Sequence, residues 1–560
     1  MKRIGIKFIS LAMILVFMFA TTACTNNSSQ SETSSSSTSN AGDSSSTQAA
    51  SADPFGKYDP TITIKAVRTL DSTIKFDESL EDTKSLESNV WSKAYEDMLG
   101  IKLDYLWTPA ADQYATKWNT SIASNDLPDM GWVDANTYKS LLQGGLVEDM
   151  TDAFDKYASD YYKEQVKIDG AAQKFMTING KLMGLPLTGA TPDGINLLYI
   201  RKDWLEKVNL PEPKTIDELL NVAKAFKDAK LGGADTSGFC MGPYVFGGQG
   251  DWEGFLNGFG AYVGIWLKDS SGKLAYSSIQ PEMRTALLKL QQAYKDGLIP
   301  KDFSVNSNPT EALVSGKAGI AYGTYWAPVV AIQDQMNKDP NSVWEVLPLP
   351  TVDGSPMKTQ AWGDGLPTSF FFVKKGYEHP EAAVKIVNLG FKLDVEQYMK
   401  YNFNQATQIQ VQSYRLVAAW EPWRNLNSTI KVWDAMTSKD TSKLNDGELD
   451  SYNNITSYHA GTPDRAKLGY VLINDSQSSS YSIIKQLRDE NRIVLSEYKA
   501  LPTDRMSQKQ TLLDTNLTNA MIKVIGGGDI SGYDEAAKAW LAGGGQAIAD
   551  EVNAWFEQSK

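Results

Sequence analysis

Between Thr61 and Asp134 the hydrophobic period of the sequence switches between two and 3.6 residues, over and over. "TITIKAVRTL" (61–70) alternates like a strand. "SNVWSKAYEDMLG" places Val90, Ala94 and Met98 on one helical face and stops at Gly100, and "IKLDYLW" (101–107) alternates again. A helical stretch from Asp112 to Ala123 then leads through Pro128 into a short apolar run. Strand–helix–strand–helix–strand leaves few folds open, because each helix carries the chain back to lay the next strand parallel to the last. The expectation is an α/β protein with mainly parallel sheets. Further helices are marked by Thr215 with Asp217 and Glu218 in the first turn, and by Pro-Glu pairs opening "QPEMRTALLKLQQAYKDGLIP" and "HPEAAVKIVNLGFKL". There is no internal repeat. About 500 ordered residues exceed a single core, so at least two lobes are expected.

The first 58 residues do not belong to that body. Lys2, Arg3 and Lys7 precede an apolar run, Phe8 to Ala20, too short to span a bilayer, and small residues follow it. Residues 1–23 therefore read as an export signal. The small residues ending in Cys24 resemble a bacterial lipobox, with Thr21 where leucine is usual, so Cys24 is the expected lipidation site. From Thr25 to Ala52 the chain is Ser, Thr, Asn, Gln and Ala with no aromatic residue, which cannot bury enough to fold; residues 24–58 read as anchor and tether. The other cysteine, Cys240, is left without a disulfide partner and reads as a small buried hydrophobe. Loss of the leader removes Lys2, Arg3 and Lys7 and no acid, taking the net charge from −13 to −16. That balance excludes nucleic acid and leaves the lipid anchor as the only membrane contact.

Aromatic residues carry the strongest functional signal. There are 15 Trp and 25 Tyr, and Trp107, Trp132, Trp252, Tyr325, Trp326, Trp362, Trp420 and Trp423 fall in loop-like text. A sugar presents an apolar CH face and a rim of hydroxyls, which suits an aromatic platform flanked by polar side chains. Asp251 and Glu253 flank Trp252, Asp364 follows Trp362, and Arg424 and Asn425 follow Trp423. Trp91, Trp118, Trp204, Trp540 and Trp555 sit on helical apolar spacing and read as core. Arg201 either pairs with Asp203 or Asp217 or touches the ligand, and Asp129 either caps or points into a cleft. The glycine runs 526–528 and 543–545 lack the context of phosphate loops and read as helix stops. Two histidines, His379 and His459, leave little room for His-based catalysis or most metal chemistry, and both read as surface residues.

"SNDLPDM" (124–130), "GLVEDMTDAFDKYASD" (145–160), "NGKLMGLPL" (179–187), "LLYIRKDWLEKVNLPEPKTIDEL" (197–219), "EALVSGKAGIAYGTYWAPV" (311–329), "VLPLPTVDG" (346–354) and "GYDEAAKAWLAGGGQAIADEVNAWFEQ" (532–558) resemble family 1 extracellular solute-binding proteins, in the branch serving oligosaccharide ABC importers. The resemblance implies a two-lobed, periplasmic-binding-protein-like α/β fold, each lobe a mainly parallel sheet, with a ligand cleft at a three-strand hinge. The crossings would lie near 188–196, 361–372 and 408–416. The lobes would be 59–190 plus 365–412 and 191–364 plus 413–560. Trp326 would stack on the sugar; Trp107 and Trp132 would come from the first lobe, and Trp252 and Trp423 from the second. The implied partners are an oligosaccharide and ABC permease subunits, at the outer face of the membrane, with a monomeric protein and no cofactor or catalysis. Some relatives carry a calcium loop after the Thr215 helix; here residues 227–240 offer only Asp228 and Asp235, so no metal is expected. The alternatives are a surface carbohydrate-binding protein without a transporter and an anchored glycoside hydrolase, which needs only two carboxylates.

Overall fold

The computed structural model describes residues 53–70, 74–189, 192–245, 249–361, 369–404 and 409–560. Their hydrophobic side chains form two cores. In the first, β1 (Ile62–Val67) lies between β2 (Ile101–Trp107) and β3 (Met130–Asp134), parallel to both. The strand Ser369–Val373 adds an antiparallel edge beside β3. Alternation in β1 sends Ile64 and Ala66 inward at 0% exposure. The helix Val90–Ala94 begins at Asn89, whose side chain accepts from the Trp91 and Ser92 amides. It widens into a π turn and ends at Gly100, φ +64°, where a Cβ would collide with the Tyr58 carbonyl. The helix Glu381–Glu396, apolar along most of its length, also belongs to this core.

The second core surrounds the strands Trp344–Leu347, Leu197–Arg201 and Ile320–Gly323, in that spatial order. Here the expectation of a mainly parallel sheet needs correction: Leu197–Arg201 runs antiparallel to both neighbours. Parallel pairing beside the strand Ile320–Gly323 is confined, among the described residues, to isolated bridges such as Cys240 to Ala321 and Ser237 to Ala318. Hydrophobic period reports which face is buried, not chain direction, and Leu197–Arg201 is a central strand buried throughout, reached directly from the first lobe rather than through a helix. The capping box at Thr215 and Glu218 forms as read, opening the helix Ile216–Asp228. Helices from Arg424 to Ser559 complete this core.

The chain passes from one core to the other three times: between Leu187 and Ile195, between Ala361 and Phe370, and between Ala419 and Leu426. At the first passage Ile195 pairs with Ala361, so two of the crossing segments lie side by side. Among the described residues, no helix is long and apolar enough to cross a membrane.

Candidate functional site

A cavity of about 1140 Å³ opens where the two cores meet. From the second core come Tyr325 and Trp326, just past the strand Ile320–Gly323, Tyr481 from the helix Ser480–Asp489, and Arg424 and Asn425 from the first turn of the helix Arg424–Ser438. Tyr398, Met399 and Phe403 close it from the side of the first core.

The aromatic wall is held by its own hydrogen bonds. Tyr199 donates its hydroxyl to the Thr324 carbonyl at 2.9 Å and lies 3.0 Å from Ser480 Oγ, which donates to the Tyr325 carbonyl at 3.2 Å. Tyr325 then meets Trp326 edge to face at 5.1 Å and Tyr481 at 5.0 Å. Asn425 Nδ2 donates to the Tyr325 hydroxyl at 2.9 Å. Asp193 stands beside this group, and loss of solvent pushes its carboxyl up to about 6, against the pull of Arg424 and of hydrogen bonds from Asn425 and Tyr481. Burial, with Tyr325 and Asp193 alongside, drives the Tyr481 phenol far above its usual range. The result is an apolar platform rimmed by hydroxyl, amide and carboxyl groups. Such a surface can cover a sugar's CH face and bond its hydroxyls.

A stack of rings and guanidinium groups stands behind Arg424. Arg415 lies 4.1 Å from the Trp91 ring and 4.3 Å from the Trp420 ring, and Arg424 lies 4.0 Å from Trp420. Trp420 is pinned to the first crossing segment: its amide donates to the Thr188 carbonyl at 3.0 Å, and Thr188 Oγ1 donates to its carbonyl at 2.7 Å. Gly189, φ +90°, permits that approach, because a Cβ there would strike Trp420. Trp423 adopts a left-handed φ of +59°, unusual for a bulky residue, immediately before Arg424 and Asn425.

Of the residues singled out in the sequence, Tyr325 and Trp326 line this cavity. Trp423 is half-buried beside it, against the second core, with Arg488 5.6 Å from its ring. Trp107 and Trp132 are half-buried at the first sheet and do not line the cavity; Trp132 donates its indole N–H to the Leu416 carbonyl at 2.7 Å. Asp129 accepts from the Lys65 amide at 2.8 Å and ties β1 to the start of β3. Arg201, 3% exposed, grips Asp203 at 2.6 and 2.8 Å and reaches Asp339 at 3.2 Å, away from the cavity. Trp252 and Glu253 are buried in the second core, where Asn196 Nδ2 donates to Glu253 Oε2 at 2.6 Å. Burial and the neighbouring Asp251 raise the Glu253 carboxyl well above its normal range. Trp362, Asp364 and Cys24 lie outside the described residues. In the loop compared with a calcium site, Asp228 pairs with Lys224 and Asp235 with Lys317.

Asp193, Tyr398 and Tyr481 were not among the residues singled out. Asp193 alone had a local signal: the turn "PDG" (192–194) runs directly into a fully buried strand, which sets its side chain at the strand's mouth.

Residues 77–392, just over half of the chain, match the family described as bacterial extracellular solute-binding protein. The chain is 25% identical over 489 residues to the polygalacturonan/rhamnogalacturonan-binding protein YtcQ of Bacillus subtilis, covering 84% of this chain and 88% of that one. It is 26% identical over 481 residues to lipoprotein LipO of the same organism, covering 84% and 89%. Among solved structures, the fold is similar to that of the substrate-binding protein FusA of Streptococcus pneumoniae in complex with fructo-nystose (TM-score 0.59, 16% identity, 89% of this chain and 99% of that one). It is likewise similar to the alginate-binding protein AlgQ2 (TM-score 0.58, 16% identity, 90% and 99%). The two-lobed α/β architecture, the cavity between its cores and the matched region agree: the chain belongs to the bacterial extracellular solute-binding protein family.

Proposed function

We propose that this protein captures an oligosaccharide in the cavity between its cores and hands it to the permease subunits of an ABC importer. The carrying observation is the cavity wall itself: Tyr325, Trp326 and Tyr481 meet at near-contact distances with Asn425 and Asp193 at their rim. The volume, about 1140 Å³, exceeds what a single small molecule usually needs. Closure of the lobes around the sugar would be the signal to the transporter, and the three passages between cores would be the hinge. Lipidation at Cys24 would hold a monomeric protein at the outer face of the membrane on its Ser/Thr-rich tether. Binding without turnover fits the chemistry available. The carboxylates Asp251 and Glu253 lie close to one amide, but each is 1% exposed and closed to a glycan. Calorimetry against a glycan library, with chromatography of each mixture afterwards, tests the reading. Tight binding of an unchanged oligosaccharide is expected; turnover of any glycan, or tight binding to peptides alone, refutes it.

A further inference from the structure

We propose that Tyr470 is a second sugar platform, set apart from the wall of Tyr325, Trp326 and Tyr481, so that this cavity selects its ligands by chain length; the inference rests on the sugar-capture reading. The wall rings stand against one another, Tyr325 meeting Trp326 at 5.1 Å and Tyr481 at 5.0 Å. Tyr470 does not join them. It lines the same cavity from the helix Leu468–Asn474, and among the described residues no other ring and no cation stands against its face. It is 43% exposed where Tyr481 is 2% exposed. A large ring left open inside a concave space offers apolar area that a ligand can cover.

The helix that carries this ring is held at both ends. Gly469 lies so close to the Pro328 carbonyl that a Cβ would strike it, and its amide donates to Gln333 Oε1 at 2.8 Å. At the other end Trp433 donates its indole N–H to the Asn474 carbonyl at 2.6 Å, and Thr429 Oγ1 donates to Asn474 Oδ1 at 2.7 Å. Pro328 follows Trp326 by two residues, so both platforms are fixed to the same core before any ligand arrives, and little ordering is left for binding to supply. Partners for a sugar's hydroxyls lie around Tyr470: Lys467 and Asp450, paired at 2.6 Å, and Ser451 line the cavity with it. Nor does the space end there. Met399, Phe403 and Asp450 also line a second compartment of about 510 Å³, together with Val90 of the first core and Asn453. A run of linked sugars can cover the wall and the open ring together, which a single sugar ring cannot.

The test is calorimetry with malto-, cello-, xylo- and fructo-oligosaccharide and oligogalacturonate ladders, each from two sugar units to six. In the ladder that binds, wild-type affinity is expected to climb roughly ten- to fiftyfold with length and then level off, the gain expected from covering one open ring. Tyr470→Ala should flatten that climb, weakening the longest member most and the shortest least, and should melt near the wild-type temperature because the ring is packed on few sides. Tyr470→Phe should keep the climb, since the face and not the hydroxyl does the stacking. Trp326→Ala, by contrast, should weaken every length. Wild-type affinity that does not change along the ladder overturns the inference while sugar capture stands, and needs no variant to be folded. So does a Tyr470→Ala protein that keeps the full climb or weakens every length alike. A wild type that binds no member of any ladder overturns the capture reading and the inference with it.

Discussion

Trp326→Ala separates a ligand-facing ring from a packing one. Trp326 is half-buried on the cavity wall, its ring perpendicular to Tyr325 at 5.1 Å. A sugar ring stacked on the indole would remove roughly 100 Å² of apolar surface from water, worth about 2.5 kcal/mol at about 25 cal/mol per Å², or about a 70-fold loss of affinity on truncation. Folding should lose much less, since the edge contact with Tyr325 is worth roughly 1 kcal/mol. Trp118 sets the contrasting scale: fully buried and bonded through Nε1 to the Trp132 carbonyl at 3.0 Å, it should cost about 3–5 kcal/mol of stability when cut to alanine. Calorimetric titration beside scanning calorimetry reads both quantities on one sample. Solution scattering adds a third reading, the compaction on sugar binding, which should vanish in the variant. If Trp326→Ala melts like a core variant, or binds sugar as the wild type does, the ring belongs to the packing and the site is wrongly drawn.

The remaining expectations are shorter. Asp193 has a raised carboxyl, so its contribution to stability is fully present below the ordinary carboxylate range near 3.8 and is lost as pH rises through about 6; Asp193→Asn should flatten that slope and raise stability at pH 7.5 by on the order of 1 kcal/mol, read from melts between pH 4 and 8. Arg201→Ala should cost about 2–3 kcal/mol in urea unfolding, since Asp203 keeps Lys207 at 3.2 Å but loses the two-pronged guanidinium, while the folded fraction keeps its sugar affinity; lost affinity with normal stability would restore Arg201 to the ligand. Cys24→Ser should leave an unprocessed precursor or release the protein to the medium, whereas the wild type follows detergent on phase separation. Equal partitioning of the two would end the lipobox reading.

Local signals were the legible ones. Thr215 and Glu218 announced a capping box, Gly100 a left-handed stop, and the helical spacing of Trp91, Trp118, Trp204 and Trp540 their place in the cores, because each is decided within a few residues of chain. Strand direction in the second sheet was not legible, since Leu197–Arg201 is buried at every position and carries no in–out alternation to orient it. The site divides the same way. Tyr325 and Trp326 stand in one aromatic stretch and could be singled out; Tyr398 and Tyr481, some 70 to 160 residues away in sequence, become wall residues only when both cores close. Arg201 and Glu253 look like ligand groups in one dimension, and only burial reveals that Asp203 and Asn196 already hold them.

The threefold passage between cores also fixes an order of assembly. By residue 134 the ribosome has delivered β1, β2 and β3, yet β3 lacks its antiparallel neighbour until Ser369–Val373 is made, after all three strands of the second sheet. The covering helix Glu381–Glu396 and the segment to Ala419 come later still. The first-made lobe is thus completed only after most of the other lobe's sheet exists, so its pairing spans more than 230 residues and is slow. Under the export proposed for this chain the delay would be useful: a partly made first lobe with an open sheet edge stays threadable, and the fold that would block passage is withheld until most of the polypeptide has been synthesised.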